Sequence, residues 1–142
     1  MSQHAALLFA NEAFYRAFAD KDMRAMANVW AHVDTVRCLH PGWAPLVGVE
    51  EVLGSFQAIF DGPAPPAITP AAAEVAIHGA GPDGDGAVGI VTCYERIGGD
   101  FLLATNIFRR EKDGGWRLVH HQAGPANDPP AEEDDDGPDT IN

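Results

Sequence analysis

Between Leu7 and Ala19 the large apolar residues Leu7, Phe14 and Phe18, with Ala10 and Ala17 between them, recur every three or four positions. That spacing gathers them on one face of a helix. Asp22 then offers a carboxylate cap to a second, short helix that turns Met23, Met26 and Trp30 inward. A third helix is predicted after Gly48, with Glu50 and Glu51 in its first turn, where they suit the macrodipole, and Val52, Phe56, Ile59 and Phe60 along one stripe. Asp61-Gly62-Pro63 ends it. Between the second and third helices, Thr35-Val36-Arg37-Cys38-Leu39 is a short β-type run that stops at His40-Pro41-Gly42.

After Pro70 the pattern changes to strands separated by turn residues, predicted over Glu74 to Gly79, Ala87 to Ile97, Phe101 to Glu111 and Trp116 to Ala123. The turns are Gly81-Pro82-Asp83-Gly84-Asp85-Gly86, Gly98-Gly99-Asp100 and Asp113-Gly114-Gly115. Connections this short join antiparallel neighbours, so the last four strands form a meander. The fold class is α+β: three helices, one strand among them, then a curved sheet. A sheet wrapped around a helical layer leaves a space between the two, and such a space is a natural pocket.

The 142 residues suffice for one domain with its own core. Their formal charge of −12 is unevenly spread, since seven acids and no base fall within residues 127–142, leaving fourteen acids against nine bases before them. The expected division is therefore a folded domain over 1–126 and a disordered, solvating acidic tail over 127–142. Acidic surfaces repel phosphate backbones, so no nucleic-acid partner is expected. The first twenty residues carry Asn11, Glu12 and Arg16 and lack the long apolar run of a membrane span or the basic lead of a signal peptide. A soluble, cytoplasmic protein without a membrane partner is the expectation. Cys38 and Cys93 lie in apolar runs outside any CxxC or Cys/His pattern and read as buried thiols.

Several short motifs in order carry a family resemblance. They are Phe14-Tyr15-x-x-Phe18-x-x-x-Asp22-x-x-x-Met26-x-x-x-Trp30, Cys38-Leu39-His40-Pro41-Gly42-Trp43, Gly48 opening a helix, Thr105-Asn106-Ile107-Phe108 and Gly115-Trp116-Arg117-Leu118-Val119-His120-His121. Together they resemble the SnoaL-like branch of the nuclear-transport-factor-2-like superfamily, near its ketosteroid-isomerase-like members, over residues 7 to 125. The resemblance implies a cone: a strongly curved, mainly antiparallel sheet packed on three N-terminal helices, dimeric through the outer sheet face, with a pocket inside. Isomerases, dehydratases, cyclases and non-catalytic members share that fold, so function rests on the site.

In the isomerases the strand after the second helix ends in Asp-Pro, and the similar position here is His40. An imidazole, with its ordinary pKa of about 6.5, suits acid/base work near neutrality. His40 equally fits a residue that closes the strand end by hydrogen bonding. The position similar to the isomerases' oxyanion-binding aspartate is Asn106, whose amide could donate to an oxyanion or could satisfy backbone groups inside the cone. Phe14, Trp30 and Phe56 stand where the isomerases place tyrosines, and all three lack a phenol. Tyr15 points about 100° away from Phe14 on a helix, which argues against its taking over that network. Trp43 suits an apolar wall at the pocket mouth or a seal between the third helix and the sheet. Alternation counted from Asn106 puts Val119, His121 and Ala123 on the pocket side and His120 on the outer face.

No carboxylate stands at ligand spacing from His40 and His121, and Asp83-Gly84-Asp85-Gly86 lacks the further oxygen ligands of a calcium loop, so neither a metal nor a cofactor is expected. Phosphate-cradling loops, GxSxG elbows and reactive-cysteine signatures do not occur. The sequence therefore points to a small apolar or carbonyl-containing ligand. His40 and Asn106 are its candidate catalytic pair, and Phe14, Tyr15, Trp30, Trp43, Phe56 and His121 its candidate contacts. A cofactor-independent lyase or isomerase and a non-catalytic binding or association module both remain open.

Overall fold

The computed structural model describes residues 1–79 and 86–130. Side-chain caps set the starts of the first two helices. Helix α1 (Gln3–Ala19) begins four residues earlier than the apolar spacing suggests because Ser2 accepts a hydrogen bond from the Ala5 amide and caps it. Asp22 caps α2 (Met23–Val29) in the same way through Ala25. Helix α3 (Val49–Phe60) has no side-chain cap; Gly48 precedes it at φ +91° while its amide bonds Val36 O. That positive φ is what requires glycine there.

The six strands are β1 (Arg37–Leu39), β2 (Leu46–Val47), β3 (Thr69–His78), β4 (Val88–Ile97), β5 (Asp100–Arg110) and β6 (Trp116–Pro125), in the order β2-β1-β6-β5-β4-β3. The meander β3 to β6 is antiparallel throughout. β2 escaped the sequence reading because two residues carry no period. β3 starts five residues before the predicted strand and includes Pro70, which an edge strand tolerates. The turn at 81–86 lies, apart from Gly86, outside the described residues, and so does the acidic tail beyond residue 130.

Two pairings position the site. β1 runs parallel to β6, with Cys38 opposite His121, which sets the strand end at His40 beside the last strand. Between β5 and β6 the register slips: Ile107 faces His120, but Phe108 faces Leu118. Val119 is the extra residue of this bulge, so alternation fails across it. Leu118, His121 and Ala123 are buried, whereas Val119 is only partly so, correcting its expected place on the pocket side.

The inner face of the sheet closes on the helices through Leu7, Met26, Trp30, Phe56, Phe108 and Leu118, all fully buried. Leu7 sits so close to β4 that a Cβ on Gly89 would lie 2.5 Å from its Cδ2. Any larger residue there would force the buried Leu7 side chain or α1 itself to move. Phe14 meets Phe56 edge-on with centroids 5.9 Å apart, tying α1 to α3. None of the described helices is long and apolar enough to cross a membrane.

Candidate functional site

A cavity of about 270 Å³ lies between the sheet and the helices. Phe14 and Phe18 from α1, Phe56 and Ile59 from α3, and Ile97 and Leu102 from the far ends of β4 and β5 make most of its wall apolar. Tyr15, His40, Glu95 and His121 also face it.

The polar groups on one side come from α1 and three strands. Asn11 and Tyr15 are four residues apart, hence on one helical face, and Cys93 and Glu95 occupy alternate inward positions of β4. The Tyr15 hydroxyl donates to Glu95 Oε2 at 2.7 Å. Asn106 on β5 donates from Nδ2 to Asn11 Oδ1 at 2.8 Å and to the Tyr15 oxygen at 3.1 Å. With both its N–H groups spent, its Oδ1 is the acceptor for His121 Nδ1 at 2.6 Å. This network fixes the His121 tautomer with the proton on Nδ1 and leaves Nε2 bare. Nε2 lies 3.9 Å from Glu95 Oε2.

Burial decides the charges. Desolvation pushes His121 down to about 3, helped by His40 and His120 nearby. Desolvation also raises Glu95, against the opposing hydrogen bond from Tyr15. Both shifts run against an ion pair, because each charged form would lose its water without a close partner. Burial and the neighbouring Glu95 likewise raise the Tyr15 phenol. Burial lifts the Cys38 thiol to about 12.

The opposite side is simpler. His40 follows β1 at a tight turn in which the Trp43 amide donates to His40 O at 3.0 Å. Its Nε2 meets Ser55 Oγ at 2.9 Å, and Ser55 donates to Val52 O at 2.6 Å, so Nε2 carries the proton. Burial lowers the His40 pKa. Its ring stands 5.0 Å from Phe56, 4.7 Å from Trp43 and 6.5 Å from His121. Trp43, 48% exposed, lies at the rim.

The eight residues singled out in the sequence thus separate into two groups. Phe14, Tyr15, His40, Trp43, Phe56 and His121 line the cavity. Trp30 and Asn106 do not: Trp30 is wholly buried in the core, its Nε1 without a partner among the described residues, and Asn106 sits behind Tyr15 and His121. Both N–H groups of Asn106 are taken up by Asn11 and Tyr15, so in this geometry neither is open toward the cavity for the expected oxyanion contact. Tyr15 does reach the interior, contrary to the angular argument, because Asn11, Phe14, Tyr15 and Phe18 are all buried and the inward face of α1 spans both Phe14 and Tyr15. Glu95 was missed. The signal existed: Val91, Cys93 and Glu95 share one parity on β4, and a carboxylate on a buried parity is conspicuous. Among the described residues no three His, Cys, Asp or Glu side chains converge at metal-binding distance.

Three helices and a curved, mainly antiparallel sheet enclosing a cavity define the chain as an α+β cone. The sequence model of the SnoaL-like domain matches residues 8–128, and the chain belongs to that family, within the nuclear-transport-factor-2-like superfamily. A candidate dehydratase of the NTF2-like family from Streptomyces avermitilis is 28% identical, with a TM-score of 0.73 over 87% of this chain and 96% of that one. A candidate calcium/calmodulin-dependent protein kinase type II association domain from Thiobacillus denitrificans is 33% identical, with a TM-score of 0.60 over 83% and 93%. The F-box protein SKIP8 of Arabidopsis thaliana is 27% identical over 120 residues, 83% of this chain and 48% of that protein. The chain thus spans about half the length of this curated relative.

Proposed function

We propose that the cone binds a small, neutral, largely apolar ligand in its cavity and moves a proton on it, as a cofactor-independent lyase or isomerase does, with His40 as acid/base. The observation that carries this reading is the convergence of Tyr15, His40, Glu95 and His121 on one apolar cavity whose lining, among the described residues, includes no lysine or arginine. An anion there would be desolvated without a counter-charge, so an uncharged ligand fits. The likeness to the candidate dehydratase supports the reaction class.

Deuterium uptake alpha to the carbonyl of 2-decalone in D2O, followed by proton NMR, tests it. The protein should exchange that position faster than buffer. His40→Gln, whose amide can still donate to Ser55, should lose at least about tenfold of the rate with little change in unfolding midpoint. Binding of decalin alcohols or ketones without exchange would leave a non-catalytic binding module, the reading that the 33% identical association domain favours. A second copy of the chain covers the outer sheet face in either case, where Val88 and Leu103 are exposed. Sedimentation giving a monomer at micromolar concentration would remove that element.

A further inference from the structure

Four side chains at the base of the cavity make a circuit of hydrogen bonds closed on three sides. His121 Nδ1 donates to Asn106 Oδ1 at 2.6 Å, Asn106 Nδ2 to the Tyr15 oxygen at 3.1 Å, and the Tyr15 hydroxyl to Glu95 Oε2 at 2.7 Å. The fourth side, His121 Nε2 to Glu95 Oε2, measures 3.9 Å, beyond hydrogen-bonding distance. Asn106 lies behind the wall, whereas His121 and Glu95 both face the cavity. The open side is the one a ligand can reach.

The closed sides also fix what the open side asks for. The second Asn106 N–H is held by Asn11 Oδ1 at 2.8 Å, so the amide cannot turn round, and the His121 proton stays on Nδ1. His121 Nε2 therefore presents a bare lone pair, and it makes no hydrogen bond among the described residues. Glu95, 3% exposed, has the Tyr15 phenol and this imidazole beside its carboxyl, and burial pushes the imidazole toward its uncharged form. Burial pushes a carboxyl so placed toward its protonated form, in which it can donate a hydrogen bond. One acceptor and one donor stand side by side.

We propose that a ligand hydroxyl closes the circuit, donating to His121 Nε2 and accepting from the Glu95 carboxyl, so that the cavity selects neutral alcohols and enols over the corresponding ketones. A carbonyl oxygen carries lone pairs only and would leave Nε2 unanswered. The inference rests on the cavity's taking a neutral apolar ligand, and it adds a consequence for proton transfer: the site holds an enol more tightly than its keto form, which is the differential binding that lowers a barrier to enolisation.

Calorimetric titration with 2-decalol and 2-decalone, one skeleton carrying either a hydroxyl or a carbonyl, tests the assignment. The alcohol should bind at least about tenfold tighter. His121→Asn keeps an N–H for Asn106 but removes the Nε2 lone pair, and should bring the two affinities within about twofold with the fold intact. Glu95→Gln keeps an acceptor for Tyr15 and a donor for the ligand, and should hold the alcohol within about threefold of the parent. Equal affinities in the parent protein, a preserved preference in His121→Asn, or a loss beyond about tenfold in Glu95→Gln would each overturn the proposal while leaving the apolar-ligand reading standing. Failure of the parent to bind either compound would overturn both.

Discussion

The two polar walls of the cavity are secured in opposite ways. On the α1 and β4–β6 wall, side chain answers side chain across long sequence distances: Tyr15 and Glu95 are 80 positions apart, Asn106 and Asn11 are 95 apart. On the β1 and α3 wall, His40 leans on Ser55, which leans on the backbone of its own helical turn at Val52. Removing a member of the first wall leaves several buried groups without partners, whereas removing one from the second leaves a single group. Rigidity at the floor and tolerance at the wall opposite follow from that difference.

The comparison breaks most visibly at Asn106. Asn106→Leu removes partners from Asn11, Tyr15 and His121 at once, and should cost about 3–5 kcal/mol in urea unfolding. A loss under about 1 kcal/mol would mean the three groups re-pair easily and the floor is no more rigid than the opposite wall.

Next in size is an acid response with two opposing signs. His121, faced by His40, His120 and Glu95, sits far below its ordinary value of 6.5. The unfolded chain therefore takes up a proton that the folded chain refuses, and this contribution to stability, complete above pH 6.5, drains away as pH falls toward 3. Glu95 is raised above 4.5, so its contribution is complete below that pH and fades as pH rises through the folded value. Unfolding of His121→Asn should show less acid loss than the parent. Glu95→Gln should gain on the parent as pH rises above 4.5. Parallel pH curves for parent and both variants would show that burial does not control these two groups.

How much of this was legible in the sequence divides along the same line. Helices α1 to α3 and the meander announce themselves through local period and turn residues, as does the strand end at His40-Pro41-Gly42. The parallel β1–β6 pairing does not, because it depends on closure of the whole sheet, and Val119 misled because a bulge resets alternation without any marker in the side chains. Asn106 was legible as an inward polar residue but not as a residue already fully bonded: its partners Asn11 and Tyr15 lie at the other end of the chain. Glu95 had a visible parity but a distant partner, Tyr15, that no local pattern reveals.

On the opposite wall, Ser55→Ala should cost about 1–2 kcal/mol, the price of leaving His40 Nε2 without an acceptor, well below the effect of Asn106→Leu. A loss as large as that of Asn106→Leu would erase the distinction between the walls.

The smallest effect on stability belongs to Trp43, and there the two walls can be separated from the cavity they enclose. Its ring is edge-on to His40 at 4.7 Å, yet about half the residue is exposed and its amide bond to His40 O survives any side-chain change. Trp43→Ala should therefore shift unfolding by about 0.5 kcal/mol, as surface positions do. The same change strips an apolar face from the rim and should weaken 2-decalol about three- to tenfold, since roughly 40 Å² of lost apolar contact corresponds to about 1 kcal/mol. If Trp43 instead seals α3 onto the sheet, the order reverses: stability drops by more than about 2 kcal/mol while the affinity of the remaining folded protein is unchanged. Calorimetric titration and urea unfolding of this one variant decide between a residue that serves the ligand and one that serves the fold.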